Sequence, residues 1–393
     1  MNRTLYLATW GNPLEWQEVE YECGEGERKK GFASAVCADA DRYVIHVLDS
    51  VIAASGGGAG RPANKAAVEA AREAGLEPRE DGGRVSIAPP DCEGWRDYVE
   101  RYVRGLAARA GIEESRTAVV ATAAVGRLGG RTYGGTPDLM LSELLYGLWH
   151  QVGRLGEPEG QLRLVVDVTH GVNFMPAVAL WAARLAASLA LAAGYERAVV
   201  QAYNATPGNW QYVKVYSEEV THLQFPRLPA RRAARALYYG APLHYAYLCR
   251  EEGGLSDPRR APRCRGAEVA YDQPHPKPLD LYEALLVKAA CPASVPTLRQ
   301  IMGWHLVKKL SPTARRVVEH ELNDVYRAAQ ALKKCAKLSE LLPYAVPEGE
   351  PCRDDNRNFV AHAGLLASHT EVCPHGDDYA LKPDPQTYRC LEK

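Results

Sequence analysis

The residues best suited to chemistry lie in one short stretch near the end of the chain, where Arg357, Asn358 and His362 fall within six positions. An imidazole can take a proton from a hydroxyl group or give one to a leaving oxygen near neutral pH. A guanidinium offers a planar fork of donors to the oxygens of a reacting phosphate. This combination is suited to cleaving a phosphodiester by attack of a ribose 2′-hydroxyl, a reaction that needs no metal ion.

The spacing of arginine and histidine is not specific by itself, because Arg315 and His320 repeat it. That second pair follows Ser311 and Pro312, a cap residue and a first-turn proline, in a highly charged segment. We interpret Arg315 and His320 as part of a solvated helix face.

Arg357 follows several cap-forming residues, which predicts a short helix from about Asn356 to Ser368. Asn358 and His362 are four positions apart and share a face, whereas Arg357 lies about 140° around the axis from His362. Two such helices across a dimer axis would bring the groups together. The alternative, in which His362 is a hydrogen-bonded core histidine and Arg357 an ion-pair partner, stays open.

The pattern R-N-x-x-x-H, followed by Ala363 and Gly364, resembles the motif of HEPN ribonucleases. The resemblance implies a metal-independent endoribonuclease that acts on single-stranded RNA and leaves a 2′,3′-cyclic phosphate. It implies that His362 transfers protons, that Arg357 stabilises the phosphorane, and that Asn358 orients groups in the site.

Length and composition indicate a globular protein of two or three domains, with 393 residues, 46% hydrophobic and 24% charged. The net charge of −1 excludes a generally polycationic nucleic-acid binder, so any RNA contact must be local. No signal peptide is recognisable before the first apolar stretch, and we expect a cytoplasmic protein. The apolar segment 174–193 follows a predicted strand and carries Arg184, which favours a buried helix over a membrane span.

Ten scattered cysteines with no C-x-x-C spacing argue against a zinc module, and we expect no metal or cofactor. Their even number allows disulfides, which intracellular proteins of hyperthermophiles also carry. Cys249 with Cys264, and pairs among Cys352, Cys373 and Cys390, are conceivable partners that the sequence leaves open.

The first half alternates apolar strands with helices, which predicts a mostly parallel, Rossmann-like α/β sheet. Strands are predicted at 5–9, 43–48, 85–88, 117–122, 162–168, 198–203 and 212–216, and helices at 64–75, 95–110, 136–150 and 174–193. The glycine-rich stretches 56–60 and 126–135 are predicted to be loops.

Ligands of such sheets bind beyond the carboxyl ends of the strands. Small, amide- and hydroxyl-rich residues and one histidine are predicted there, which suits phosphates and polar bases. They are Gly11, Asn12, Pro13, Asp49, Ser50, Arg131, Thr132, Thr169, His170, Gly171, Val172 and Asn173. No G-x-G-x-x-G follows the first strand, so the usual dinucleotide site is excluded. Two structural alternatives stay open: a mobile loop at 126–135, and a turn role for His170.

The run D-V-T-H-G-V-N-F-M-P after an apolar strand, together with W-G-N-P after the first strand, resembles the CARF domains of CRISPR-associated proteins. The likeness covers roughly the first 220 residues and implies a dimer that holds a cyclic oligoadenylate across its two-fold axis. By this resemblance the pocket is lined by Asn12, Thr169, His170, Gly171 and Asn173. Strand-end position alone places Asp49, Ser50, Arg131 and Thr132 there.

The second half, beyond a boundary at 225/226, is predicted to be an all-α bundle, so that the domains are 1–225 and 226–393. Helices are predicted at 279–291, 296–303 and 311–342, and a loop-rich tail at 373–393. Two arginine clusters suit either RNA backbone contacts or solvated surfaces. They are Arg227, Arg231, Arg232 and Arg235, and Arg259, Arg260, Arg263 and Arg265.

The two resemblances occur in the order found in the cyclic-oligoadenylate-activated CARF–HEPN ribonucleases of type III CRISPR systems. This implies a homodimer or higher homo-oligomer, with cyclic tetra-adenylate as the expected activator and single-stranded RNA as substrate. Two alternatives remain. One is a CARF-type transcription regulator whose arginines contact DNA, and the other is a pure sensor or ring nuclease in which His170 or nearby residues cleave the cyclic ligand.

Overall fold

The computed structural model describes residues 2–24, 26–58, 60–88, 92–172, 174–252, 254–271, 275–342, 351–352 and 356–392. The chain forms two compact units. The first comprises Met1–Ala187, Tyr195–Val220 and Ser256–Pro278, and the second comprises Ser188–Gly194, Thr221–Leu255 and Leu279–Lys393. One crossing between the units, at 220/221, lies close to the predicted boundary. The segment 256–278, however, belongs to the first unit and not to the second.

The elements are numbered in chain order. The strands are β1 Asn2–Trp10, β2 Val19–Glu22, β3 Arg28–Gly31, β4 Arg42–Leu48, β5 Ser55–Gly57, β6 Glu77–Asp81, β7 Arg84–Ala88, β8 Thr117–Thr122, β9 Val125–Leu128, β10 Arg131–Gly134, β11 Gln161–Asp167, β12 Arg197–Ala205, β13 Tyr212–Val220, β14 Pro262–Arg265, β15 Glu268–Tyr271, β16 Ala336–Lys337, β17 Thr370–His375 and β18 Asp378–Pro383. The helices are α1 Lys65–Glu73, α2 Trp95–Arg109, α3 Pro137–Gly153, α4 Met175–Ala193, α5 Arg232–Tyr238, α6 Pro242–Leu248, α7 Pro278–Ala290, α8 Leu298–Gly303, α9 His305–Lys308, α10 Pro312–Ala329, α11 Leu338–Leu341 and α12 Arg357–Ala361.

The first unit is built on a six-stranded sheet in the order β13-β12-β11-β1-β4-β8. Its strands are parallel except for β13, which runs antiparallel to β12. This confirms the predicted Rossmann-like, mostly parallel sheet. After β1 the chain continues to β4 and β8 on one side and returns to β11 on the other. The connections after β1 and β11 therefore lead to opposite sides of the sheet, and such a switch point forms a crevice at the carboxyl ends of the strands.

Helix α4 is long and apolar enough to cross a membrane by length and composition alone. However, 67% of its most apolar window is buried inside the protein, as in the core helix of an α/β fold. Arg184, on its exposed side, forms an ion pair with Glu218 of β13, with 2.8 Å between Nε and Oε2.

The glycine-rich stretch 126–135 is a β-hairpin and not the predicted loop, because β9 and β10 pair antiparallel across Gly129 and Gly130. Both glycines have positive φ, 57° and 76°, as a two-residue hairpin turn requires. Likewise, 56–57 belongs to β5, and the strand predicted at 85–88 pairs in the separate sheet β5-β7-β6.

The segment 256–278 adds a second sheet to the first unit, in the order β14-β15-β10-β9. Strand β15 runs parallel to β10, and β14 pairs antiparallel with β15. A disulfide between Cys92 and Cys264 ties β14 to the same unit.

The second unit is helical with a small sheet, so the prediction of an all-α bundle is wrong. Strands β16, β17 and β18 form a three-stranded antiparallel sheet. The predicted loop-rich tail, 373–393, holds the second half of β17, all of β18 and then a 3₁₀ helix at Pro385–Leu391. The helix predicted at 311–342 ends at Ala329, because the chain beyond it turns to pair β16 with β17.

All ten cysteines lie in the described ranges, and all are paired. The disulfides are Cys23–Cys37, Cys92–Cys264, Cys249–Cys291, Cys335–Cys373 and Cys352–Cys390. The pair Cys352–Cys390 is among those expected, whereas the pairing of Cys249 with Cys264 is wrong.

Candidate functional site

The loops after β1 and β11 meet at the crevice of the first unit. The Gly11 N–H donates to the His170 carbonyl oxygen over 2.7 Å. A Cβ at Gly11 would lie 2.6 Å from Cγ2 of Val172, and one at Gly171 would overlap Thr9 Oγ1 and the Pro176 ring. Glycine at both positions is therefore what lets the two loops approach.

Asp167, the last residue of β11, organises the floor of this crevice. Its buried carboxylate accepts hydrogen bonds from the Tyr6 hydroxyl, from Ser34 Oγ at 2.6 Å and from the Thr169 N–H at 2.9 Å. Burial, and then the charge of Asp167, raise the pKa of Tyr6, so the phenol stays protonated as a donor. The carboxylate thereby fixes the loop that begins at Thr169.

His170 is held in place by residues distant in the sequence. Its Nε2 accepts from the Ser34 N–H at 3.3 Å and lies 3.2 Å from the Tyr21 hydroxyl oxygen. Its ring packs 4.4 Å from that of Trp16, measured between centroids. Because a backbone N–H can only donate, Nε2 carries no proton, and burial lowers the pKa of His170. His170 is therefore a neutral imidazole held by tertiary contacts, and not merely a turn residue.

A cavity of about 380 Å³ opens beside His170. Its walls combine aromatic rings with hydroxyl, amide and guanidinium groups, which suits stacking on flat bases and hydrogen bonding to their edges. The lining residues that carry these groups are Trp16, Tyr21, Arg61, Thr169, His170, Asn204 and Trp210.

Two of the predicted residues after β1 serve the fold. The Asn12 side chain caps the following turn, since Oδ1 accepts from the Leu14 N–H and Nδ2 donates to the Ser55 carbonyl oxygen. Pro13 is buried. Val172 is exposed beside Gly171, and Asn173 lies outside the described residues.

Asp49 and Ser50, which strand-end position placed at the ligand site, are buried instead. The Asp49 carboxylate accepts from the Tyr271 hydroxyl at 2.7 Å and from the Ala124 N–H at 3.2 Å. Burial raises the pKa of Asp49 to about 7. Asp49 therefore lies in the interior of the first unit, because β15 covers the end of β4.

Arg131 and Thr132 lie on β10, which belongs to the second sheet and not to the six-stranded sheet that carries the two loops of the crevice. The Arg131 guanidinium stacks 5.0 Å above the Trp95 ring, and its Nη1 lies 3.1 Å from Cys264 Sγ. The structure therefore brings together Gly11, Thr169, His170, Gly171 and Val172. It does not bring Asp49, Ser50, Arg131 and Thr132 to them.

A family model described as the CARF domain of the CRISPR system endoribonuclease Csx1 matches residues 5–207, more than half of the chain. The chain belongs to the Csx1 CARF family. No curated protein matches it. CARF domains bind cyclic oligoadenylates and are often dimeric. The CARF domain thus implies cyclic-oligoadenylate sensing in type III CRISPR defence, as the sequence predicted.

Sequence reasoning missed several residues of the CARF crevice. Ser34, Tyr21 and Trp210 reach it from loops and hairpins far from the strand ends. No periodic pattern marks such residues. Asp167 was detectable as the acidic residue that ends a buried apolar strand.

The second candidate site is the motif helix α12, which spans Arg357–Ala361 and is shorter than the predicted 356–368. It ends because Ala363 and Gly364 take positive φ, 52° and 79°. A Cβ at Gly364 would lie 2.8 Å from His244 Nδ1, so only glycine allows this close turn. Phe359 is fully buried and anchors the helix against the His244 ring.

The three motif side chains, Arg357, Asn358 and His362, are all exposed. His362 is 48% exposed at its side chain, so the alternative of a core histidine is wrong. Its Nδ1 lies 3.2 Å from Oε1 of Glu321 on α10. The core histidine of this unit is His244, whose Nε2 lies 2.7 Å from Thr387 Oγ1.

The similar pair Arg315 and His320 lies exposed on α10, where Arg315 pairs with Glu319 at 2.7 Å. This confirms the interpretation as a solvated helix face.

The arginine clusters are largely engaged within the protein. Arg227 and Arg232 form ion pairs with Glu283 and Glu252, each at 3.1 Å. In the other cluster, Arg259 pairs with Asp257. Arg231, Arg235 and Arg260 donate to backbone carbonyl oxygens. These contacts favour structural roles.

Proposed function

We propose that this protein is a cyclic-oligoadenylate-activated, metal-independent endoribonuclease that cleaves single-stranded RNA. The CARF domain would be the sensor, and the motif around α12 would be the catalytic site. The observation that carries the proposal is the exposure of Arg357, Asn358 and His362 around one short helix, with a carboxylate beside the imidazole. An accessible imidazole beside a carboxylate is suited to proton transfer with a bound substrate.

In the proposed reaction His362 takes the proton of a ribose 2′-hydroxyl, and the 2′-oxygen attacks the adjacent phosphorus. Arg357 binds the non-bridging oxygens as charge develops on them. The bond from phosphorus to the 5′-oxygen breaks, and that oxygen takes a proton from an imidazolium. The products carry a 2′,3′-cyclic phosphate and a 5′-hydroxyl.

The two proton transfers suit a homodimer or higher homo-oligomer, in which the second copy supplies another His362. Binding of a cyclic oligoadenylate, with cyclic tetra-adenylate as the expected ring, would favour the arrangement in which the two motifs act together. A ligand shifts such an equilibrium only through its different affinity for the two states.

The alternatives receive less support. A DNA-binding regulator would need free arginines, whereas most members of the two clusters bond within the chain. A ring nuclease using His170 as base would need a free basic nitrogen, whereas Nε2 already accepts from Ser34.

The decisive experiment is cleavage of labelled single-stranded RNA in EDTA, with and without cyclic tetra-adenylate. We expect wild type to cleave only with the ligand, and His362→Ala to lose about a hundredfold or more in rate. His320→Ala is the matched control, because it removes an exposed histidine of the same unit. Equal cleavage by wild type and His362→Ala would refute the catalytic assignment.

Ligand binding can be tested separately by calorimetry with cyclic tetra-adenylate. We expect His170→Ala to raise the Kd about tenfold, the effect of losing one good hydrogen bond. His362→Ala should bind as wild type does. An unchanged Kd in His170→Ala would remove this residue from the ligand site.

A further inference from the structure

We propose that Glu321 is a positioning residue that fixes the protonation pattern of His362, an inference that rests on the proposed function. Oε1 of Glu321 lies 3.2 Å from Nδ1 of His362. The two residues are 41 positions apart, on α10 and just after α12, so the contact is tertiary and independent of the motif spacing.

Glu321 is the least exposed of the acidic residues of α10. Its side chain is 18% exposed, against 45% for Glu319, because it lies beside the buried row of Val318, Leu322 and Val325. Glu319 pairs with Arg315 on the same helix. Glu321 instead faces the motif, and its partial burial limits the competition of water for its oxygens.

The chemistry of the pair follows from what each atom can do. A carboxylate only accepts hydrogen bonds, so Nδ1 must carry the proton. The neutral ring then presents an unprotonated Nε2, the basic atom that a 2′-hydroxyl needs. When Nε2 takes that proton, the charge of Glu321 stabilises the imidazolium that forms. Glu321 need not touch the RNA.

The tautomer of His362 tests its pairing with Glu321 without a measurement of RNA cleavage. Long-range ¹H–¹⁵N spectra of the full-length, histidine-labelled protein, recorded where the rings are neutral, distinguish the two tautomers, and His362→Ala assigns the signal. We expect the Nδ1–H tautomer in wild type and in Glu321→Gln, whose amide oxygen still accepts. We expect a shift toward Nε2–H in Glu321→Ala.

Glu319→Ala is the matched control, since it makes the same change two positions away on α10 and should leave the His362 signal unchanged. An Nε2–H tautomer in wild type would overturn the proposal. So would a His362 signal that is the same in Glu321→Ala as in wild type.

RNA cleavage by the same variants tests the consequence. We expect Glu321→Ala to lower kcat about tenfold with little change in KM, and Glu321→Gln to fall between it and wild type. Glu319→Ala should match wild type. If His362→Ala is inactive but Glu321→Ala cleaves normally, this inference fails while the proposed function stands. If wild type does not cleave RNA, the proposed function fails, and the tautomer result alone decides whether Glu321 sets the protonation of His362.

Discussion

At the scale of single residues, two histidines of the second unit have opposite environments. His362 is exposed beside Glu321, whereas His244 is fully buried between Thr387 and Phe359. Burial lowers the pKa of His244 to about 3. His244 also supports the turn at Gly364, so the fold of the motif depends on a neutral ring beneath it.

This environment predicts a specific pH dependence of stability. The unfolded chain takes up a proton at His244 below its ordinary pKa of about 6.5, while the folded protein does not, so the stabilisation is present above about pH 6.5 and is lost as pH falls toward 3. The loss is about 1.4 kcal/mol per pH unit in the middle of that window. We expect His244→Gln to remove this slope.

The measurement is the melting temperature of wild type and His244→Gln at pH 7.5 and 5. The stability advantage of wild type should shrink at pH 5. His320→Gln, which changes an exposed histidine of the same unit, is the matched control. A gap between wild type and His244→Gln that is constant or grows on acidification would contradict the buried, neutral assignment.

At the scale of elements, β15 completes the interior of the first unit. It brings the Tyr271 hydroxyl to the buried carboxylate of Asp49 and to the Ala124 N–H, at 2.7 and 2.9 Å. Three segments distant in sequence thus meet at one hydroxyl group.

Tyr271→Phe should therefore destabilise the protein by about 1–3 kcal/mol, because it removes a hydrogen bond that a buried carboxylate accepts. Denaturant unfolding measures the effect. Tyr238→Phe, at a largely exposed tyrosine, is the control and should change little. An unchanged free energy of unfolding in Tyr271→Phe would mean that the buried Asp49 is not stabilised by β15.

Local signals were sufficient to predict many elements. The cap residues Asn64, Thr136 and Ser311 each accept from backbone N–H groups at the start of a helix, as their side chains predict. Elements that depend on distant partners were not predictable. The early end of α10 is set by the pairing of β16 with β17, which no local pattern reports. The β9–β10 hairpin is different, because its two-residue turn at Gly129 and Gly130 is a local signal that the prediction of a loop overlooked.

The residues of the candidate sites also fall into those that local sequence predicts and those that depend on distant partners. Thr169 and His170 were predictable because they directly follow a buried strand. The burial of Asp49 was not, because it depends on Tyr271, 222 positions away. The partnership of His362 with Glu321 likewise depends on how α10 packs.

At the scale of the whole molecule, five disulfides cross-link the chain, two within the first unit and three within the second, and leave no cysteine free. Each typically stabilises a protein by about 2–4 kcal/mol. Thiol titration of the protein denatured without reductant should detect no free thiols, and reduction should lower the melting temperature. A substantial thiol content before reduction would contradict the complete pairing.

The return of segment 256–278 to the first unit has a consequence for the gene. A single recombination point between codons 220 and 221 would separate the family-matched sensor from β14, β15, Tyr271 and the cysteine that pairs with Cys92. One contiguous stretch of coding sequence that ends at codon 220 would therefore not contain the whole first unit. Exchange of the second unit between such proteins would have to retain segment 256–278, or the interior that it completes would have to be rebuilt.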